Sequence, residues 1–325
     1  MQRRMGLRLP LLGVLVALIG VSAASAVRGA QDLVRTSGPS PFAGCNVEPF
    51  ALAGEPNCLN AEVEPRIAVN PRNPDNIIGV WQQDRWRFGG ARGLLTGVSH
   101  DGGATWSRTF AHFSNCAGGN AANRGNYERA SDPWVTISPN GTAHQIALSF
   151  NFINDANNGV LVSRSTNEGR TWSEPTAVIA DTDLTVIDDK TSITADPRDS
   201  RLVYAVWDRL EFTDATQTFV IRGPTWFTRT VNGGVSWEPA RAIYDPGLDA
   251  QTISNQIVVL PDGTLVNLLV RFLHVNESPP EPGLGPPEDA VVAVIRSTDK
   301  GVRWSPPIVI SPLRTIGRAS CRERV

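Results

Sequence analysis

Four segments of the chain carry the same alternation of apolar and polar positions ahead of a proline. They are Arg66-Ile-Ala-Val-Asn-Pro71, Trp134-Val-Thr-Ile-Ser-Pro139, Ser192-Ile-Thr-Ala-Asp-Pro197 and Gln256-Ile-Val-Val-Leu-Pro261. Apolar side chains fall on every second residue (Ile67 and Val69, Val135 and Ile137, Ile193 and Ala195, Ile257 and Val259). That is the period of a strand with one buried face. Turn formers come next, at Asn73-Pro74-Asp75, Asn140-Gly141, Arg198-Asp199-Ser200 and Asp262-Gly263. A second apolar run then predicts a second strand: Ile77 to Trp81, Ala143 to Phe150, Leu202 to Trp207 and Thr264 to Phe272. A third strand leads into a shared turn and a fourth leaves it, as at Thr176 to Ala180 and Pro307 to Ile310.

The shared turn has its own signature. Its copies read Ser99-His-Asp101-Gly-Gly103-Ala-Thr105-Trp106, Ser165-Thr-Asn167-Glu-Gly169-Arg-Thr171-Trp172, Thr230-Val-Asn232-Gly-Gly234-Val-Ser236-Trp237 and Ser297-Thr-Asp299-Lys-Gly301-Val-Arg303-Trp304. Only Arg303 departs from the form S/T-x-D/N-x-G-x-T/S-W, and the tryptophans lie 66, 65 and 67 residues apart. Asp101, Asn167, Asn232 and Asp299 can accept backbone N–H bonds across the turn. The glycine suits a positive φ, the hydroxyl adds a local bond and the indole covers the turn with apolar surface. The turns are expected to be structural staples; the alternative is a calcium or sugar site at each. Sequence repeated at a fixed period marks a repeat architecture. Four short strands per unit, without an amphipathic helical stretch, predict an all-β protein built of β-propeller blades.

The ends add context. Arg3, Arg4 and Arg8, the apolar run from Leu9 to Ala24 and Ala24-Ser25-Ala26 read as a secretory signal peptide spanning residues 1–26. A secreted protein follows, with no membrane association after cleavage; a retained anchor is the alternative. Residues 27–60 look like an irregular lead-in, and 61–315 like four blades. Residues 316–325 back-translate, with permissible codons, to a sequencing-library adapter, so they are expected to be read-through, with a natural basic tail as the alternative. The formal net charge of the whole chain is −2, and both ends are basic, so the part between is more acidic still. Such a domain is a poor partner for nucleic acid or anionic membranes. Export permits a disulfide among Cys45, Cys58 and Cys116; Cys45–Cys58 closes the shorter loop, although Cys116 could take either partner. Three cysteines and four scattered histidines give no metal site, and no cofactor is expected.

Candidate chemistry lies just before the first strands and just after the second, where a propeller gathers residues into an axial funnel. The former positions hold Glu64, Arg66, Glu128, Arg129, Asp132, Asp188, Asp189, Lys190 and Asn255; the latter hold Asp84-Arg85, Asn151, Asp208-Arg209 and Arg271. Trp81-Gln-Gln-Asp84-Arg85 and Trp207-Asp208-Arg209 look like one device in two blades. Mixed arginines and carboxylates suit an anionic ligand and acid–base work; an ion-pair network that only fills the channel is the alternative.

The turns resemble the Asp-boxes, or bacterial neuraminidase repeats, of the sialidase superfamily, and the resemblance runs from about residue 61 to 311. Glu64-Pro65-Arg66-Ile67 resembles that family's first-blade arginine signature, with Ala68 in place of proline. The resemblance implies a six-bladed propeller, here cut to about four blades, that releases terminal sialic acid from glycoconjugates. Guanidinium groups grip the sugar carboxylate in such enzymes. Arg66, Arg85, Arg129, Lys190, Arg209 and Arg271 are the expected binders, and Asp84, Asp132 and Asp208 the candidate catalytic acids. The family's nucleophilic tyrosine comes from late blades that this chain lacks, so the chain is expected to be inactive or poorly soluble. A non-catalytic propeller binding glycan or protein is the second reading, and another hydrolase or lyase on the same scaffold the third.

Overall fold

The computed structural model describes residues 33–45, 57–151, 155–276 and 290–313. The expected signal peptide, the expected adapter tail and part of the lead-in lie outside these residues. Within the compact unit that starts at Val34, the described chain forms four antiparallel meanders. Meander I runs β1 (Asn57–Val69), β2 (Ile77–Trp86), β3 (Ala91–Ser99) and β4 (Ser107–Thr109). Meander II follows with β5 (Arg129–Ile137), β6 (Ala143–Phe150), β7 (Asn158–Ser165) and β8 (Thr176–Asp181), and joins meander I in one eight-stranded sheet through a β3–β5 pairing at Ala91 and Ala130. Meander III comprises β9 (Val186–Ala195), β10 (Val203–Phe212), a short extra strand β11 (Val220–Arg222) on β10, β12 (Thr225–Thr230) and β13 (Arg241–Tyr244). Meander IV ends the series with β14 (Ala250–Val259), β15 (Leu265–Leu273), β16 (Val291–Ser297) and β17 (Ile308–Pro312).

Each predicted strand is present, and several are longer. β1 starts at Asn57, so the lead-in gives up its last four residues to the sheet. The rest of the described lead-in packs on meander I: Phe42 is buried with Trp81, Leu95 and Ala117. A disulfide joins Cys45 to Cys116, and Cys58 stays free and exposed. The shorter loop is not the one closed, because packing of Phe42 carries Cys45 toward the 3-10 turn at Asn115–Ala117.

The four turns repeat one hydrogen-bond pattern. In the first, Gly103 N donates to Ser99 Oγ (2.8 Å) and Thr105 N to Asp101 Oδ1 (2.8 Å), while Thr105 Oγ1 donates to Asp101 Oδ2 (2.6 Å). Those bonds, the Thr105 hydroxyl first, hold the Asp101 carboxyl down at about 2. The other copies match, with Gly169, Gly234 and Gly301 donating to Ser165, Thr230 and Ser297. Where Arg303 replaces the hydroxyl residue, its Nε lies 3.3 Å from Asp299 Oδ2 and fills the same role.

The turns also dock between meanders. A Cβ at Gly169 would meet Ile78 and Val98 of meander I, one at Gly234 would meet His144 of meander II, and one at Gly301 would meet Phe227 of meander III. Trp172, Trp237 and Trp304 pack against the apolar clusters that join I to II, II to III and III to IV. Each staple after the first is therefore also a clamp on the preceding meander. Trp106 stays against its own sheet, beside Gly97 and Trp81.

Candidate functional site

Every first strand carries a bulge at the same place. Two residues face one at Glu64-Pro65 opposite Trp81, Asp132-Pro133 opposite Ala147, Lys190-Thr191 opposite Trp207 and Ser254-Asn255 opposite Leu269. The leading residue of each pair has positive φ: 54° at Glu64, 51° at Asp132, 49° at Lys190 and 63° at Ser254. None is glycine, so each position costs about 1–2 kcal/mol. Bulges re-aim side chains, often beside active sites, and these four bring their leading residues to one cavity of about 210 Å³.

There the Lys190 ammonium sits 3.1 Å from Asp132 Oδ1 and 3.5 Å from Glu64 Oε1. The Lys190 N–H donates to Asp189 Oδ1 at 2.9 Å. Gln82 Nε2 donates to Glu64 Oε2 (2.6 Å) and to Ser131 Oγ (3.1 Å), which ties meander I to II. Arg85 Nη1 in turn donates to Gln82 Oε1 and to the Gly90 carbonyl, both at 3.1 Å. Burial, then the neighbouring Asp189, raises the Asp132 carboxyl above the usual range despite Lys190. Burial works against the Lys190 charge, but Asp132, Asp189 and Glu64 outweigh it and hold the ammonium above lysine's ordinary value. The rise at Asp132 sets a carboxyl that holds its proton more readily than usual beside a fixed cation.

A larger cavity, about 610 Å³, shares Glu64, Asp132 and Lys190 with the smaller one. Arg85, Asp188 and Asp189 add to its lining, with Asn151, Asp155, Asp183 and Thr216 from the surrounding loops. Leu148, Phe150, Val186 and Ile187 form an apolar wall. Counted over the lining, six carboxylates face two cations, so the cavity as a whole favours neutral or positively charged ligands. Burial pushes the Asp188 carboxyl up to about 6, against the pull of Arg209. Among the described residues no cluster of His, Cys, Asp or Glu is placed to hold a metal ion.

The expected site residues divide three ways. Asp132 and Lys190 line both cavities, Arg85 the larger and Arg66 the smaller. Arg66 lies over the Trp134 ring at 4.2 Å. The remaining candidates line neither cavity. Asp84 is fully buried and accepts bonds from Ser40 Oγ (2.6 Å), Asn60 N (2.8 Å) and Gln83 Nε2 (3.1 Å), which makes it an anchor for the lead-in. Asp208 is buried too, accepting from Ser254 N (3.0 Å) and from Asn255 Nδ2; burial lifts its carboxyl well above the ordinary value. Arg129 donates to the Gly89 carbonyl at 2.8 Å and lies over Trp86. Arg209 forks onto Asp181 at 2.7 and 2.9 Å, reaches Asp188 at 3.0 Å and lies over Trp226. Arg271 reaches Tyr244 Oη at 3.5 Å.

The supposed kinship of Asp84-Arg85 with Asp208-Arg209 is corrected by register. Val80 pairs with Arg66 and Val206 with Ser192, so Gln82 is the counterpart of Asp208. Both reach to the next meander's bulge, Gln82 through Ser131 and Asp208 through Ser254. Gln82, Asp155 and Asp183 were not singled out from sequence. The available signal was Pro65 and Pro133 inside strand-like runs, where proline marks a bulge or an edge.

No protein-family model matches the chain, and comparison with curated proteins finds no relative. Solved structures do match. An α-L-arabinanase of Penicillium chrysogenum complexed with arabinobiose aligns at 12% identity and TM-score 0.55, over 78% of this chain and 68% of the arabinanase. A mutant α-L-arabinofuranosidase of Fusarium graminearum in complex with an iminosugar inhibitor aligns at 13% identity and TM-score 0.50, over 77% and 66%. A Hadza microbial sialidase aligns at 15% identity over 78% and 59%, but its TM-score of 0.45 is too low to weigh. The chain thus spans about two thirds of the length of the two stronger matches. At these identities the likeness concerns fold alone: the chain is all-β, with antiparallel sheets, and its structural neighbours have the propeller fold.

Proposed function

We propose that the cavity over meanders I to III is the sugar pocket of an exo-acting glycoside hydrolase, and that the four meanders are blades of a larger, six-bladed propeller. The observation that carries this reading is the cluster Glu64–Lys190–Asp132–Asp189, built on repeated strained bulges inside a cavity of about 610 Å³. Asp132, whose carboxyl burial raises above the usual range, donates to the departing glycosidic oxygen as the C–O bond breaks. Water adds to the anomeric carbon and yields its proton to the Glu64 carboxylate. Lys190 holds the two carboxyl groups in place.

The excess of carboxylates favours a neutral terminal sugar, in keeping with the arabinobiose bound to the Penicillium chrysogenum arabinanase. A second reading, release of sialic acid, is supported by the four turn motifs and by Arg85 at the cavity wall. It requires a sugar carboxylate to enter an acidic pocket whose arginine already has Nη1 on two oxygens.

Binding separates the readings in the chain as it exists. Methyl α-L-arabinofuranoside, methyl β-D-galactoside and the methyl glycoside of sialic acid are titrated separately, with saturation-transfer NMR as readout. Saturable binding of a neutral glycoside supports the proposal, and binding of the sialoside alone replaces it with the sialidase reading. Binding of none overturns it. In the complete propeller, Asp132→Asn should keep the affinity and lower turnover about 10²–10⁴-fold; rapid hydrolysis by the 325-residue chain would show that four meanders suffice.

A further inference from the structure

The smaller cavity differs from the larger one in charge and in the state of its polar groups. Two acidic residues, Glu64 and Asp132, meet two cations there, Arg66 and Lys190, so the larger cavity's excess of acid is absent. One wall is flat, because the Arg66 guanidinium stacks on Trp134 at 4.2 Å. Several lining side chains are already committed. Thr191 Oγ1 donates to the Asp132 carbonyl at 2.8 Å, and Asn255 accepts from Thr225 (3.1 Å) and Asn267 (2.6 Å) while donating to Asp208. Three others are open: the Arg66 guanidinium, the Ser254 hydroxyl and the Gln256 amide have no hydrogen-bond partner among the described residues. The backbone presenting Ser254 is strained at φ 63°, and it is held there by the buried Asp208. The fold thus spends a bulge and a buried carboxyl to fix open donors beside Glu64, Asp132 and Lys190.

We propose that this cavity is a second saccharide subsite, which holds the sugar unit next to the one in the larger cavity, so that a glycosidic linkage lies over Glu64, Lys190 and Asp132. The three shared residues are where the two cavities meet. A flat cationic wall with a hydroxyl and an amide beside it suits a sugar ring and its hydroxyls, while the larger cavity's apolar wall and acidic rim suit the terminal unit. The subsite rests on the glycoside reading above.

The test uses methyl α-L-arabinofuranoside and arabinobiose with the full chain, Arg66→Ala and Gln256→Ala, by isothermal titration. Arabinobiose should bind about tenfold more tightly than the monosaccharide, which is what one or two additional hydrogen bonds supply. Each variant should lower arabinobiose affinity about three- to tenfold and leave the monosaccharide unaffected. Arg66 is exposed and Gln256 half-buried, and unchanged unfolding midpoints would show that both variants keep the fold. Equal affinity for the two sugars, or loss of both in either variant, overturns the subsite while leaving the glycoside reading standing. Binding of neither sugar by the wild-type chain overturns the subsite, and overturns the glycoside reading as well when methyl β-D-galactoside also fails to bind.

Discussion

Replacing Gly301 with alanine probes whether the turns clamp one meander on the next, and Gly103→Ala is its matched control. Both glycines occupy the same place in the turn, at φ 89° and 96°. Each substitution therefore carries the same backbone cost, about 1 kcal/mol. Their surroundings differ. A Cβ at Gly103 meets nothing nearer than 3.8 Å, on Ile77 and Trp106 of its own meander. A Cβ at Gly301 would lie 2.5 Å from Phe227 Cζ and 2.9 Å from its Cε1, across the junction of meanders III and IV. Phe227 cannot easily yield: it is 1% exposed, edge-on to Trp304 at 5.5 Å and stacked with Tyr204 at 6.3 Å. Overpacking of that kind adds about 1–3 kcal/mol. The expected totals are about 2–4 kcal/mol for Gly301→Ala and about 1 kcal/mol for Gly103→Ala. Urea unfolding followed by tryptophan fluorescence reads the difference directly, with an unchanged slope certifying that only stability moved. Losses within about 0.5 kcal/mol of each other would refute the clamp and leave the turns as purely local staples.

Other expectations follow from the same geometry. Asp188, raised to about 6 by burial, keeps its proton in the fold after the unfolded chain has released it near pH 4. Its contribution to stability should therefore fall by about 3 kcal/mol as pH rises from about 4 to above 6; Asp188→Asn should remove that slope, and an unchanged slope in urea titrations at pH 4.5 and 7.5 would contradict the assignment. Reduction of Cys45–Cys116, which closes a 71-residue separation, should cost about 4 kcal/mol by loop entropy. Peptide mapping after alkylation of the unreduced folded protein should find Cys58 labelled and Cys45 linked to Cys116; a Cys45–Cys58 peptide would overturn the pairing.

What was legible in the sequence is what depends on local pattern. Alternation at Ile193 and Ala195 is a property of a few residues and marks a buried face, and each predicted strand is present. Ile67 and Val69 of β1 are exposed, however, and Ala68 between them packs on the core instead. Asp101 and Thr105 sit close enough in sequence for their bonds to be anticipated. Register across the first strands was not legible, since a residue pair such as Lys190-Thr191 carries no glycine to announce its bulge. Matching the two Asp-Arg dipeptides rather than Trp81 and Trp207, which face the bulges, set Asp84 against Asp208 and left Gln82 unnoticed. The arginines show a related limit. Arg129 and Arg209 read as free cations, but the Gly89 carbonyl and Asp181 that occupy them lie 40 and 28 residues away. Long-range partners also decided the disulfide, where burial of Phe42 outweighed loop length.

The clamp geometry has a consequence for the order of events during synthesis. Meander I receives its clamp from the Gly169 turn, meander II from the Gly234 turn and meander III from the Gly301 turn, each arriving about one repeat of 65–67 residues later. At roughly 5–20 residues per second a ribosome takes about 3–13 s to supply each one. Through that interval the newest sheet has its hydrogen bonds but lacks the indole and glycine that seal its outer seam. Maturation should therefore proceed as a wave that runs one sheet behind the emerging chain, with His144 and then Phe227 becoming protected from solvent in succession.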